Sequence, residues 1–406
     1  MQLAFRWENK VDGIADEWNH CFYNQQAMRS FALQKALESA DLPETEYRHL
    51  IVTDEKGVAM VIPCCTVRLN LLVVASPWIN KVVKGIRIVW PKFLYARLFI
   101  VGSSMSTCGD NIGIRDMDDT SRWPKQKIRA VFDEIRRKAR SMKISFVIIK
   151  EPAAKVTNFV KRGVGGTFFF PESLPTAYLE LPKCGYMQAI STRYRNKLKK
   201  RRKVAVDKGL YWIITKTADG LFDRMFDLHS QIMDHAKVVF ERLNRKFFDK
   251  AREFIEKDPA KDTFYSLGFR RFPDGTQKLI CCEFAMIEGD TMYPLYTGFD
   301  YEIKKDTSIY FNAFYALIDE AERRGLKRIH FGQTACEVKA ELGCVPERLY
   351  IGVHHSNPVF QGIIWLLRGL LFETESLPQR DVWAATLPQN SGHSLKPAPV
   401  DQSIGA

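Results

Sequence analysis

The sequence predicts an α/β protein with mixed sheets, built as two tandem units and followed by a disordered C-terminal tail. Three observations predict it. Short apolar runs alternate along the 406 residues with longer segments whose apolar residues recur every three or four positions. One order of elements occurs twice: AVFDEIRRKARSMKISFVIIKEPAAKVTNFVKRG and ALIDEAERRGLKRIHFGQTACEVKAELG each run helix, basic turn, apolar strand, loop, short helix with a lysine, and glycine. Beyond Leu371 the chain becomes ESLPQRDVWAATLPQNSGHSLKPAPVDQSIGA, rich in Pro, Ser, Gly and Gln and too polar to form a packed core.

The first forty residues read as helical, with SFALQKALESA amphipathic. YRHLIVTDEKGVAMVIPCCTV is a hairpin whose arms flank Asp54-Glu55-Lys56-Gly57. Residues 70–118 mix apolar clusters with spaced cations and resist assignment. KQKIRAVFDEIRRKARSMK is a helix by the spacing of Ile128, Val131, Phe132 and Ile135, with cations in its last turns. ISFVIIK is a buried strand, AAKVTNFVKRG a short helix closed by Gly163, and TFFF and AYLEL are strands. In the second half YWIITK is a strand, and LFDRMFDLHSQIMDHA and NRKFFDKAREFIEK are helices. FYSLGFRR is a strand, and KLICCEFAMIEGDTMYPLYTG a hairpin around Glu288-Gly289-Asp290. TSIYFNAFYALIDEAERRG sets Phe311, Phe314, Leu317, Ile318 and Ala321 on one helical face. RIHF is a strand, TACEVKAELG a short helix capped by Thr334 and Glu337, and RLYIGV the last strand. The expected division is 1–185, 186–355, an amphipathic segment at 356–372, and the tail at 373–406.

Apolar residues make up 46% and charged residues 26% of the chain, enough for a sizeable core. The net charge is +13, and eight cations with no acid lie between Arg193 and Lys203, in ISTRYRNKLKKRRKVAVDKG. Charge so localised implies a localised anionic partner. Ile190, Tyr194, Leu198 and Ala205 fall on one helical face there, so the stretch is a docked helix with a basic outer surface. Eight unpaired cations repel one another, which favours compensation by phosphates of a nucleotide, RNA or lipid head group. The nine cysteines include no CxxC pair, so a zinc knuckle and a redox dithiol are not indicated, and the thiols read as structural. The N-terminus lacks an apolar signal core, and no uncharged apolar run reaches the ~18 residues of a spanning helix. The expected location is cytoplasmic. KVVKGIRIVWPKFLYARLF and GIIWLLRGLLF, which mix cations with aromatics, suit a peripheral contact with the inner face of an anionic membrane.

Three stretches carry a family resemblance. STRYRNKLKKRRKVAVDKGLYWII is a serine-, arginine- and lysine-rich helix leading through glycine to a strand. YPLYTGFDYEIKKDTSIYFNAFYALIDEAERRGLKRIHFG gives strand, aspartate loop, long helix and strand ending in glycine. Gly332, Lys339 and Gly343 complete a G-x-x-x-x-x-x-K-x-x-x-G run. Together, over residues 190–353, they resemble the tandem-domain branch of the GNAT-like acyl-CoA N-acyltransferases: the Fem-like peptidyltransferases and their acyltransferase relatives. The resemblance implies two GNAT-like domains, acyl transfer from a thioester to an amine, and no permanently bound cofactor or metal. The Gln/Arg-x-x-Gly-x-Gly/Ala loop that grips acetyl-CoA in ordinary members of that superfamily is absent before the helix near Thr307. Acyl-CoA as co-substrate, an acyl carrier protein and aminoacyl-tRNA therefore all stay open as donors.

Amine acylation needs a group to take the ammonium proton, and a carboxylate at a strand end can do so. Asp300, in GFDYEIKKD, and Glu283, in CCEFAM, are the candidates. Asp300 reads equally as a turn residue. Glu283 is either a buried carboxylate with a raised pKa or a solvent-facing residue of simple alternation. Tyr296 could hydrogen-bond the departing thiolate or be a core aromatic. Tyr310 and Asn312 open the long helix, where free N–H groups favour an anion. Gln333 and Lys339 follow the last strand of the motif, where the resemblance implies contact with a phosphate or carboxylate. Arg193, Arg195 and Lys199 represent the basic helix as donor-binding residues, and Cys336 reads as structural. The reading is an N-acyltransferase, acyl-CoA the favoured donor, its acceptor an amine of an amino-acid, cell-envelope or lipid-linked molecule. The alternatives are an aminoacyl-tRNA-dependent Fem-like transferase, disfavoured by the absence of a sustained heptad run, and a non-catalytic anion- or membrane-binding protein on the same fold.

Overall fold

The computed structural model describes residues 3–22, 27–70, 85, 87–88, 95–105, 111–235, 243–258, 261–303, 308–333, 335–372 and 377–384. The capping role of Thr334, most of the basic–aromatic segment at 81–99 and residues 373–376 and 385–406 of the tail lie outside these residues; 377–384, expected to be disordered, is docked instead, with Val382 fully buried and Trp383 bridged to Ile190.

Two seven-stranded mixed sheets carry the fold. The first contains β1 (Ala4–Glu8), β2 (Glu46–Asp54), β3 (Gly57–Asn70), β4 (Tyr95–Val101), β6 (Phe146–Ile149) and β14 (Gly352–His355) in that order, with β5 (Gly113–Ile114) beside β3. The second runs β8 (Leu210–Thr215), β9 (Asp262–Arg271), β10 (Gln277–Glu288), β11 (Thr291–Phe299), β12 (Arg328–Gly332), β7 (Thr176–Glu180) and β13 (Val345–Glu347). The repeated order seen in the sequence is reproduced in the topology. Each sheet has one parallel pair, β4 with β6 and β11 with β12. Each such pair is linked by a long crossover helix, α3 (Lys125–Ser141) and α9 (Ile309–Arg323) in the numbering used here, and each is followed by a shorter helix, α4 (Ala154–Val164) and α10 (Cys336–Glu341).

The division between the units differs from a cut at 185/186. β7 belongs to the first half of the chain yet pairs with β12. β14 comes from the second half yet pairs with β6. Each takes, in the other unit's sheet, the place beside that unit's second parallel strand. Four local expectations also change. The chain opens on a strand rather than a helix, because AFRWE finds an edge partner in β2 and Trp7 Nε1 donates to Glu134. TFFF makes only a bridge from Phe169 to Val353, and RLYIGV is bridged at Leu349 and Tyr350, with its strand displaced to Gly352–His355. Gly163 does not close its helix: α4 runs on to Val164, and the missing Cβ lets α4 sit against Ile128.

α1 (Ala15–Cys21), α2 (Phe31–Ser39), α5 (Tyr186–Ala189), α6 (Thr192–Asp207), α7 (Phe222–His235) and α8 (Arg245–Ala251) complete the body. α2 and α8 share a core with Phe247, Phe248, Tyr265, Phe284 and Tyr296, so one face of the second sheet is covered partly by the first unit. α6 and α9 cover the opposite face, where Tyr194, Leu198, Phe314, Leu317 and Ile318 pack. The apolar spacings predicted for α3, α6 and α9 are those buried in the structure, except that Phe311 of α9 is only half-buried, beneath Arg201. α11 (Pro358–Leu366) and α12 (Arg368–Leu371) follow β14 and bear no fully buried side chain among the described residues. Among the described residues no helix is long and apolar enough to cross a membrane.

Candidate functional site

The middle of the second sheet holds the most unusual polar group in the described chain. Glu283 on β10 is fully buried, and neither carboxylate oxygen has a hydrogen-bond partner. Burial with no compensating cation raises its pKa to about 8. Ser266 lies directly opposite on β9 and Thr297 on β11. The Ser266 hydroxyl is likewise buried without a partner. The charge of Glu283 is felt at Cys281, Cys282 and Tyr310. Beside it, Gly268 leaves the room in which the Trp212 indole meets Cys281. Thr297, beside it on β11, is only half-buried.

β11 is also where the sheet opens. It pairs with β12 only at Thr291↔Arg328 and Met292↔Ile329, although both strands continue. Leu295 is an extra residue, since Phe284 pairs with Tyr296 but Ala285 with Pro294. Without that bulge Glu283 would face Tyr296 across the hairpin. The one-residue shift sends Tyr296 to the other face, as a slip of register must. Tyr296 stacks on Phe284 with ring centroids 5.2 Å apart and packs edge-on against Phe248. It is a core aromatic on the α7–α8 side, and the structure does not bring it to Glu283.

Asp300 ends β11 as a buried carboxylate held from several sides. Arg224 Nη2 donates to Oδ2 at 2.6 Å, Lys278 Nζ lies 3.0 Å from the same oxygen, and Oδ1 accepts from the Glu302 N–H at 3.1 Å. Two cations on one carboxylate keep its oxygens occupied. Asp300 thus pins the end of β11 to α7 and β10, whereas Glu283 keeps free lone pairs.

Other expected contacts resolve as scaffold. Asn312 donates to the carbonyls of Arg201 and Ser308 and ties α9 to α6. Tyr310 packs on Phe299 and Phe314, on Glu283's side of the sheet, and burial raises its pKa. Gln333 Nε2 donates to the Leu174 carbonyl. Lys339, buried in α10, donates to the carbonyls of Gly332 and Gln333 at 2.8 and 2.5 Å, holding the turn after β12 rather than offering its ammonium to a ligand.

The basic helix α6 is docked as its apolar spacing predicts, but its cations are not eight unpaired charges. Arg195 caps the carbonyls of Met187, Gln188 and Ile190 around α5. Arg201 lies 3.3 Å over the Phe311 ring and donates to Tyr315 and Glu341. Arg202 makes a bidentate pair with Asp319, Lys197 reaches Glu341 and Lys203 reaches Asp207. Acids far along the chain, on α9 and α10, supply compensation that the local sequence hides. Arg193, Lys199 and Lys200 stay exposed, and Arg193 lies 5.9 Å from the Tyr194 ring.

Sequence reasoning missed Arg224, Lys278, Ser266 and His229. His229 on α7 is buried, which lowers its pKa and keeps the ring neutral. Its Nδ1 lies 3.1 Å from the Thr297 carbonyl, and its Nε2 is buried with no hydrogen-bond partner. In the neutral ring the proton therefore sits on Nδ1, fastening the strand position opposite Glu283. Only the helical register of Arg224 and His229, five residues apart, could have flagged them, and that register does not specify which strand they meet.

Residues 192–340 match the family model described as an acetyltransferase (GNAT) domain. No curated protein matches the chain in sequence. The fold is similar to that of FemX, at 11% identity over 89% of this chain and 100% of that one, with a TM-score of 0.53. It is also similar to L-PGS from Bacillus licheniformis, at 9% identity over 88% of this chain and 97% of that one, with a TM-score of 0.50. A third likeness is to the C-terminal domain of a putative lysylphosphatidylglycerol synthetase from Agrobacterium fabrum, at 10% identity over 89% and 97%, with a TM-score of 0.50. At such identities the likeness is one of fold alone. Residues 192–340, with Glu283 beside the parting of β11 and β12, thus match an acetyltransferase (GNAT) domain set within a fold similar to that of FemX.

Proposed function

We propose that this protein transfers an acyl group from a thioester, acyl-CoA in the favoured case, to the amine of an amino-acid, cell-envelope or lipid-linked acceptor, with Glu283 as general base. The observation that carries this is a buried, unpartnered carboxylate with a pKa of about 8, inside an acetyltransferase domain. A base whose pKa lies near neutral pH matches the demand of accepting a proton from an ammonium and later releasing it. In the reaction Glu283 takes the proton and the amine nitrogen attacks the thioester carbonyl carbon. A C–N bond forms, the C–S bond breaks, and the departing sulfur takes the electron pair of that bond and the second proton of the nitrogen, leaving as the thiol. Asp300 acts as a positioning residue through Arg224 and Lys278, and the exposed Arg193, Lys199 and Lys200 supply attraction for an anionic donor.

A second reading replaces the donor by an aminoacyl ester carried on RNA. It is favoured by the fold likeness to FemX and to lysylphosphatidylglycerol synthetase, together with the exposed cations of α6. Thermal-shift assays of the full chain with acetyl-CoA, long-chain acyl-CoA and deacylated tRNA separate the two. A selective shift with an acyl-CoA supports the first donor. A shift with tRNA that collapses with added salt supports the second. Glu283→Gln that leaves turnover unchanged with the effective donor overturns both.

A further inference from the structure

Among the described residues, eight of the ten exposed large apolar side chains gather at one end of the first sheet. His355 of β14 pairs with Phe146 of β6, and Phe146 pairs with Leu98 of β4. The start of β4, the start of β6 and the end of β14 therefore share one sheet end. Tyr95 and Ile88 are exposed there, Ile88 by 84%. α11 leaves β14 at the same end and exposes Val359, Phe360, Ile363, Trp365 and Leu366, followed by Leu367. The helix is turned inside out relative to a surface helix of a water-facing protein. Its polar residue, Gln361, faces the body: its Oε1 accepts from the His355 N–H at 2.6 Å, while its apolar residues face outward.

The charges around this apolar end are complementary to an anion-bearing surface. From His354 to Phe372 the only residue carrying a fixed charge is Arg368. Its guanidinium lies 4.2 Å from the Trp365 ring centroid. Arg87 stacks on Tyr95 at 4.4 Å, and Lys143, exposed, precedes β6 by three residues. Of the acids described at this end, Glu46 is taken up by Arg48 and Arg97, and Glu44 lies 3.8 Å from Arg68. Helices α11 and α12 together reach roughly 20 Å, short of the ~30 Å of a bilayer core, so the element suits lying in the interface rather than crossing it.

We propose that this end of the first sheet is a foot that seats the protein on an anionic lipid surface, α11 entering the head-group boundary with Arg368, Arg87 and Lys143 on the lipid phosphates. A basic apolar patch whose acids are paired among the described residues favours this partner over a second copy of the chain, which would bring the same cations face to face. The inference does not depend on the chemistry proposed for Glu283. The test is flotation of the full chain with vesicles of phosphatidylcholine alone and of phosphatidylcholine with phosphatidylglycerol, alongside sedimentation velocity without lipid. Binding is expected only to the phosphatidylglycerol vesicles and is weakened by salt. Trp365→Glu with Leu366→Glu, at sites too exposed to disturb folding, is expected to lower partitioning roughly a hundredfold. Arg368→Glu with Lys143→Glu is expected to abolish the preference for anionic vesicles. Failure to bind, equal binding to both vesicles by the natural sequence, or unchanged binding by the first variant overturns the proposal. So does a dimer in the absence of lipid that the first variant dissolves.

Discussion

Replacing Glu283 by Gln gives a decisive experiment, because the structure fixes both its sign and its size. The carboxyl group titrates near its ordinary value in the unfolded chain and at about 8 in the folded protein. Between about pH 5 and about pH 8 the folded state therefore holds a proton that the unfolded state has lost. Folding stability must fall across that window by ~1.4 kcal/mol per pH unit, ~4 kcal/mol in all. Gln is close to isosteric with the protonated acid and does not titrate. The variant is thus expected to match the natural protein at about pH 5 and to be the more stable of the two by ~4 kcal/mol above about pH 8. Urea unfolding followed by fluorescence at several pH values measures this difference directly. The same variant should lose a factor of about 10²–10⁴ in turnover, and the natural protein's rate should rise with pH through about 8. A stability difference that does not change with pH would refute the claim that Glu283 is buried without a compensating partner.

Three other expectations follow from named contacts. Asp300→Asn strips the shared acceptor from Arg224 and Lys278 and should cost about 2–3 kcal/mol, moderated by the partial exposure of both cations; its remaining activity should keep the rise through about pH 8, which a base at Asp300 would not allow. Gly298→Ala puts a Cβ 2.7 Å from Leu228 Cβ and 2.8 Å from Cys282 Sγ, so α7 must shift and unfolding should come ~1–3 kcal/mol sooner in a denaturant titration. Lys199→Glu with Lys200→Glu should leave thermal stability within about 0.5 kcal/mol while weakening the anionic donor roughly tenfold in titration calorimetry, whereas Arg201→Ala should destabilise the fold itself, because Arg201 is committed to Phe311, Tyr315 and Glu341.

Much of the local structure was legible, and the reasons are particular. The helical faces of α3, α6 and α9 follow from apolar spacing, and a carboxylate inside CCEFAM marked Glu283 before any fold was known. What stayed hidden depends on distant partners or on a single inserted residue. TAYLE and GVHH look alike as short strands, and nothing near either says that each pairs in the other unit's sheet. The cations of α6 seemed unpaired because Asp319 and Glu341 lie more than a hundred residues away. Tyr296 and Glu283 were both candidates for one reaction; Leu295, invisible as a bulge in the sequence, turns their side chains to opposite faces of the sheet. Lys339 had the right place for a ligand contact, but its ammonium holds the turn after β12 through the carbonyls of Gly332 and Gln333.

The reciprocal placing of β7 and β14 has a consequence for how the polypeptide is made. As the chain leaves the ribosome, β6 is synthesised some two hundred residues before its neighbour β14, so the early half waits with a bare sheet margin able to recruit a stranger. β7 waits as well, until β12 arrives. The two halves are clasped like linked hands, and a gene fragment ending after the first unit would encode a body missing its closing strand. Neither half should therefore survive expression by itself, and co-expressed halves should complement each other.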